Sequence, residues 1–227
     1  MVMSRFSGLA VLVDVGGVLL MPDHETINRI AASFGGVGAT ESDLVRAHYL
    51  GVAAGERPAG FDWGHYRATL LAAGRVPPQR LADADAVLAE ALAGPAEVVW
   101  STVLPGAREG MDRLARCGAR LAIVSNSDGT VAASLASRHL VPDGTPVLDS
   151  GAAGVSKPDP GIFVLALEAL GVPPERACHV GDVPSVDVVG ARAAGVRPLH
   201  LDPIGWCQAR DHGHVAGLGE VAGVLAT

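Results

Sequence analysis

Aromatic residues make up only 4% of the 227-residue chain, and Lys and Arg number 17 against 24 Asp and Glu, for a formal charge of −7. A base-stacking platform and a basic surface to track a phosphate backbone are both missing, which argues against nucleic acid as a partner. Long apolar runs are absent as well. The stretch Leu9 to Val13 leads straight into Asp14 and is far too short to cross a bilayer, so no membrane partner is expected. Around Met1 to Arg5 there is no signal-peptide h-region or cleavage site. Cysteine is scarce: Cys117, Cys178 and Cys207 are odd in number and show no metal-ligand spacing, which reads as buried or incidental thiols in a reducing cytoplasm. No internal repeat or low-complexity tract is present.

What the chain does have is aliphatic residues. Hydrophobic types reach 49%, so Ala, Val and Leu fill a sizeable core. The length exceeds the usual ~100–200 residues of one domain, which suits a large domain or a core with an insertion. Short apolar runs recur at Leu9 to Val15, Leu121 to Ser125, Pro146 to Leu148, Ala177 to Gly181 and Arg197 to Leu201. Helical spacing at Asp128 to His139, Asp159 to Leu170 and Ser185 to Ala194 separates the last four, with Gly171 and Gly195 as C-caps. This alternation predicts an α/β fold with a Rossmann-like, doubly wound parallel sheet.

Roughly a hundred residues lie between the first two runs, well beyond an ordinary connection of about 2–6 residues plus a helix. They read as helical, with apolar positions at Ile27, Ile30 and Ala31, at Leu44, Val45 and His48, and at Tyr66, Leu70 and Leu71, and with a further amphipathic helix over Leu81 to Leu92. Gly/Pro-rich breaks fall at Gly35 to Gly38, Gly55 to Gly60 and Gly74 to Pro78. The expected division is a core of residues 1–22 and 101–227 and a helical cap of residues 23–100.

Ligands of open parallel sheets bind at the carboxyl ends of the strands. There the sequence places Asp14, Ser125, Lys157 and Asp182, with Asp187 a turn further on. Taken singly, each has an ordinary reading as a turn former, a helix cap or a solvated lysine. Together they suit phosphoryl transfer, where catalysis is positioning and charge stabilisation. A carboxylate that attacks a phosphate dianion needs a divalent cation beside it, and Mg²⁺ takes oxygen ligands. Asp14 and Asp182 supply carboxylates, Ser125 a hydrogen bond to a phosphoryl oxygen, and Lys157 a compensating charge. Gly16 and Gly17 allow a tight turn and close backbone approach.

These pieces, in order, resemble the haloacid dehalogenase (HAD) superfamily. Leu-Val-Asp14-Val-Gly-Gly-Val-Leu is similar to its first motif, Ala-Ile-Val-Ser125-Asn126 to its second, Val-Ser-Lys157-Pro-Asp-Pro-Gly-Ile-Phe to its third, and His-Val-Gly-Asp182-Val-Pro-Ser-Val-Asp187 to its fourth. Pro105-Gly106, before a helix over Ala107 to Arg116, sits where this superfamily re-enters its core. The resemblance implies an aspartyl-phosphate on Asp14, with Mg²⁺ held by Asp14, the carbonyl of Gly16, Asp182 and Asp187, the last directly or through a neighbour. It implies substrate contacts from Ser125, Asn126 and Gly17, and a small phosphorylated metabolite as substrate for a monomer or homodimer.

One position departs from the pattern. The second Asp that most phosphatases of the superfamily carry two residues after the nucleophile is Gly16 here. Three readings follow: substrates with good leaving groups, a proton donor from the cap such as His24 or Asp23, or weak or absent turnover. A metal-independent 2-haloacid dehalogenase is the alternative hydrolase. It is disfavoured by Gly181-Asp182 and by the lack of an Arg between Asp14 and Arg29. A non-catalytic ligand-binding module is the alternative from another class. In the cap, Arg57, Trp63, His65 and Tyr66 are candidate specificity groups.

Overall fold

A computed structural model describes residues 8–57 and 60–225, so the Met1 to Arg5 segment and part of the Gly55 to Gly60 break lie outside the described residues. In chain order the elements are β1 (Ala10–Val13), β2 (Leu20–Met21), α1 (His24–Ser33), α2 (Glu41–Gly55), α3 (Trp63–Ala73), α4 (Leu81–Leu92), α5 (Ala96–Val99), β3 (Thr102–Val103) and α6 (Ala107–Arg116). They continue with β4 (Arg120–Ser125), α7 (Val131–Ser137), β5 (Val147–Asp149), α8 (Ser150–Ala153), α9 (Gly161–Leu170), β6 (Ala177–Gly181), α10 (Val189–Ala193), β7 (Arg197–Leu201), β8 (Gly213–Val215) and α11 (Leu218–Leu225).

The main sheet has six parallel strands in the order β5-β4-β1-β6-β7-β8. Both faces are covered, as the apolar strand runs require. Because side chains alternate along a strand, Val11 and Val13 of β1 pack with Met111 of α6 and Val221 of α11, whereas Ala10 and Leu12 pack with Phe163 and Ala166 of α9. Full burial of side chains such as Phe163 and Leu12 stabilises the fold by ~1.5–3 kcal/mol each.

Helices α1 to α5 form the insert between β1 and β4, and the short antiparallel pair β2-β3 closes its neck. Ile27, Ile30, Ala31, Leu44, Tyr66, Leu70 and Leu71 are buried, as their spacing predicts. His48, grouped with the apolar positions in the sequence, is buried too, but its ring is hydrogen-bonded at both nitrogens.

Several elements differ from expectation. Helix α7 starts at Val131 rather than Asp128, because Asp128 instead accepts from the backbone and hydroxyl of Thr130 and precedes the left-handed Gly129. It ends before His139, whose φ is also positive. The expected helix from Ser185 begins as a π-turn, Pro184–Val188, before α10. Strand β8 and helix α11 have no counterpart in the sequence reading, since Gly213–Val215 is three residues long and carries a polar histidine.

Candidate active site

The sheet order reverses direction around β1: the chain reaches β4 and β5 on one side and β6 to β8 on the other. That switch point is where a parallel sheet opens a crevice. Asp14 follows β1 there, its N–H donating to Val180 O of β6 at 3.0 Å. Ser125 ends β4, Asp182 follows β6, and all three are buried. The loop before α9 brings Lys157 between them. Asn126 holds that loop through both ends of its amide, accepting from Lys157 N at 2.8 Å and donating to Lys157 O at 2.9 Å.

Lys157 Nζ lies 2.7 Å from Asp14 Oδ1 and 2.8 Å from Asp187 Oδ1. Asp187 reaches the site from the π-turn, where its own backbone N–H donates to Val183 O at 2.7 Å and Val183 N donates back to its Oδ2 at 3.1 Å. Insertions of this type recur at functional sites because they re-aim a side chain. Asp187 Oδ1 also meets His179 Nε2 at 2.9 Å, while His179 Nδ1 meets the carbonyl of Leu12 at 3.1 Å. Both partners of that ring are acceptors, so keeping both bonds calls for an imidazolium. Burial opposes that charge more strongly than Asp187 supports it and holds the ring below its ordinary range, so the neutral ring donates to one of the two acceptors only.

Burial pushes the Asp14 carboxyl up to about 8; Lys157 pulls it the other way, and Asp187 and Asp182 add to the rise. For Asp187 burial acts in the same sense, but Lys157 and His179 outweigh it and hold the group well below the ordinary carboxylate range. Lys157 is lowered by burial and raised more strongly by its two carboxylates, so it stays charged. Asp14, Asp182 and Asp187 each place a carboxylate oxygen within 4.8 Å of the others. Three buried carboxylates against one lysine are short of positive charge, and an all-oxygen set is the donor chemistry that a hard cation takes. The residues fit Mg²⁺.

Gly17 has φ 69°, and a Cβ there would collide with Asp182 Oδ2 and come within 2.6 Å of His48 Nε2. Only glycine suits that position. Gly16 faces the Trp100 indole, which a Cβ would meet at 3.3 Å. The volume beyond Gly16, on the side where a longer side chain would project, is therefore tryptophan.

The cap contributes a group that the sequence reading missed. His48, from the middle of α2, sets Nε2 3.1 Å from Asp182 Oδ2 and Nδ1 2.8 Å from the Tyr66 hydroxyl. The adjacent Tyr49 donates its O–H to Gly17 O at 2.9 Å. Burial, then Asp182, raises both phenols far above their usual range, so they remain O–H donors. The signal for His48 was a histidine on the apolar face of a cap helix, one turn after Leu44. His24 and Asp23 go elsewhere: His24 bonds Thr102 at the neck, and Asp23 caps α1 through Thr26 N.

The carboxylate cluster, Lys157 and His48 open onto a cavity of about 560 Å³, lined from the core by Asp14, Gly16, Ser125, Asn126, Lys157, Asp182 and Asp187. From the cap, its walls are Val52, Phe61, Trp63, Tyr66, Leu92 and Trp100, besides His48 and Arg67. Of the expected specificity groups, Trp63 and Tyr66 line the cavity. Arg57 and His65 do not; His65 instead pairs with Asp62 at the surface.

The haloacid dehalogenase-like hydrolase family model matches residues 9–195. The chain is 57% identical over 56 residues to the phosphoserine phosphatase of Thermus thermophilus, covering 25% of this chain and 22% of that protein. It is 38% identical over 104 residues to haloacid dehalogenase-like hydrolase domain-containing protein 3 of Xenopus laevis, covering 46% of this chain and 42% of that protein. The matches thus span less than half the length of these relatives. Among solved structures, a dehalogenase with an intermediate complex superposes with a TM-score of 0.61 at 24% identity, over 97% of this chain and 99% of that one. The HAD-hydrolase YfnB of Bacillus subtilis, bound to magnesium, gives 0.57 at 18% identity, over 97% of this chain and 100% of that one. With the parallel sheet, the helical insert and a family match extending from before β1 to beyond α10, the chain belongs to the haloacid dehalogenase-like hydrolases.

Proposed function

We propose that this protein is a Mg²⁺-dependent phosphatase of a small phosphorylated metabolite, in which Asp14 attacks phosphorus and Lys157, Asp182 and a cap histidine serve the reaction. The observation that carries this reading is the buried cluster at the mouth of the cavity, with Lys157 Nζ 2.7 Å from Asp14 and the Asp182 and Asp187 oxygens close by. The cap in this reading is residues 23–100, and it selects the substrate.

Asp14, Asp182 and the Gly16 carbonyl would hold Mg²⁺, which supplies charge neutralisation between the nucleophile and the phosphoryl oxygens. Asp187 already accepts from Lys157, His179 and Val183 N, so its role is to orient the lysine rather than to give up an oxygen. Lys157 pulls the Asp14 carboxyl toward its ionised form against burial, bound Mg²⁺ would complete that ionisation, and the ammonium places positive charge where the transferred phosphoryl group passes. Ser125 Oγ and the backbone amide of Asn126 hold the phosphoryl oxygens, whereas the Gly17 N–H donates to Leu20 O at 2.8 Å instead. The side-chain amide of Asn126 fixes Lys157.

In the first step an Asp14 carboxylate oxygen forms a bond to phosphorus as the bond from phosphorus to the leaving oxygen breaks. That oxygen departs as the alcohol after taking a proton. In the second step water attacks the aspartyl-phosphate, losing a proton as Asp14 is released with inorganic phosphate. Gly16 can neither give nor take those protons. His48 is the ionisable cap side chain nearest the cluster, and we assign both transfers to it: Nε2, which faces Asp182 Oδ2 at 3.1 Å, exchanges that partner for the leaving oxygen and then for water, while Tyr66 holds Nδ1. The apolar wall of Phe61, Trp63, Tyr66 and Trp100 favours a leaving group with a planar or apolar body over a heavily hydroxylated one.

Phosphate release from a panel of aryl, acyl and alkyl phosphates, with Mg²⁺ or EDTA, tests the reading. Turnover that requires Mg²⁺ and disappears in Asp14→Asn supports it. No release above a blank, or chelator-insensitive chloride release from a 2-chloro acid, overturns it.

A further inference from the structure

A second cluster of ligand-type side chains stands at the other end of the sheet. Strands β7 and β8 run parallel with His200 opposite His214, so the two imidazoles share one face. His212 precedes His214 by two residues and joins them; ring centroids are 5.4 Å apart for His200 and His214, 5.7 Å for His200 and His212, and 4.7 Å for His212 and His214. The connection between the strands turns about Asp202, whose carboxylate accepts from Trp206 N at 3.2 Å and from Cys207 N at 2.9 Å. That turn delivers Cys207 Sγ to 3.8 Å from His212 Nε2. One ligand atom from each of the four residues lies within 4.8 Å of all the others. In a tetrahedral zinc site with bonds of ~2.0 Å to nitrogen and ~2.3 Å to sulfur, neighbouring ligand atoms are about 3.3–3.6 Å apart, a modest contraction from these positions.

The protonation pattern is that of a metal site. His200 is 0% exposed, and its Nε2 lies 3.1 Å from the carbonyl of Asp182. A carbonyl only accepts, so Nε2 carries the hydrogen and Nδ1 has a bare lone pair. That Nδ1 is the buried side-chain polar atom without a hydrogen-bond partner among the described residues. Buried polar atoms in native proteins are almost always satisfied, and this one belongs to the ligand cluster. His212 is held likewise: its Nδ1 bonds Asp211 Oδ1 at 2.7 Å, leaving Nε2 as the lone pair beside Cys207. A ligating imidazole that donates its other N–H to a carbonyl or carboxylate is the usual outer-shell arrangement of metal-bound histidine.

We propose that His200, Cys207, His212 and His214 bind one Zn²⁺ as a closed, structural site that fastens β8 and the 202–212 loop to β7. Three imidazoles and a thiolate select zinc over the hard cations suited to the carboxylate cluster, and four protein ligands leave no open position for chemistry. The reading of Cys207 as an incidental thiol gives way to that of a ligand, which no C-x₂-C spacing announced. Through His200 Nε2, the site also steadies the backbone of Asp182.

The test uses full-length protein prepared without a histidine tag. Zinc content is measured as isolated, and the reduced, metal-stripped protein is then titrated with Co²⁺. About one zinc per chain is expected, together with the intense visible bands of tetrahedral cobalt and a near-ultraviolet thiolate-to-cobalt charge-transfer band. Cys207→Ser should abolish the charge-transfer band, and His214→Ala, at an exposed position, should weaken zinc binding by at least ~10²-fold while the protein stays folded by circular dichroism. Asp14→Asn should leave the cobalt spectrum intact, since its metal would sit in the other cluster. A weak octahedral cobalt spectrum, a charge-transfer band that survives Cys207→Ser, or equal zinc affinity in wild type and His214→Ala would each overturn the proposal.

Discussion

The carboxylate cluster at β1 and β6 and the imidazole cluster at β7 and β8 are joined through Asp182, whose carboxylate belongs to the first and whose carbonyl is bonded by the second. Their physics is opposite. Asp14, Asp182 and Asp187 are buried like charges, offset in part by Lys157, so the cluster has an unfavourable charge balance and an all-oxygen donor set. The histidines carry no obligatory charge, and their cost is a single orphaned nitrogen. One site is built to need a hard cation beside a reacting group, the other to be completed by a soft-to-borderline ion and left alone. The sheet scaffold is shared, and side-chain type alone sorts the two.

Asp14→Asn should separate the clusters most sharply, cutting phosphatase turnover by at least ~10³-fold while cobalt binding at Cys207 persists; paired kinetics and spectroscopy read both. Lys157→Met strands two buried carboxylates. It should destabilise the fold by ~3–5 kcal/mol in urea unfolding, whereas Cys207→Ser in metal-free protein should cost far less. His48→Gln should slow an alkyl phosphate by about 10²-fold and an aryl phosphate by less than tenfold, because an aryl oxide leaves without help; equal losses on both would remove His48 from proton transfer.

A pH dependence of stability follows as well. Asp14 in the folded, metal-free protein titrates at about 8, above its ordinary value of 3.8, so the folded state holds a proton that the unfolded state releases. Its contribution to stability is complete below pH 3.8 and is lost as pH rises through about 8. Thermal unfolding in EDTA across that window should show this decline in the wild type, by up to a few kcal/mol, and a flatter profile in Asp14→Asn.

The polar ends of the strands were readable because a parallel sheet buried on both faces needs unbroken apolar strands, so Asp14, Ser125 and Asp182 each mark where one stops. Helix α4 fell on Leu81–Leu92 as its spacing predicts. What escaped depends on partners distant in sequence. His48 resembles any helix-face residue until α2 is laid against Asp182, which is 134 positions away. Trp100 acquires meaning only against Gly16. The zinc ligands are spread over His200 on β7, Cys207 and His212 in the following loop and His214 on the three-residue β8, and the convergence of His200 and His214 follows from the β7-β8 register.

The contact between Gly16 and Trp100 couples two positions 84 residues apart in sequence. With the indole 3.3 Å from where a Cβ would stand, any side chain at residue 16 requires Trp100 to yield by a few tenths of an ångström. Replacing Trp100 first would open a hole beside the nucleophile with nothing yet to fill it. A side chain at residue 16 and the indole at residue 100 therefore compete for one volume, and the effects of substitutions at the two positions should not add.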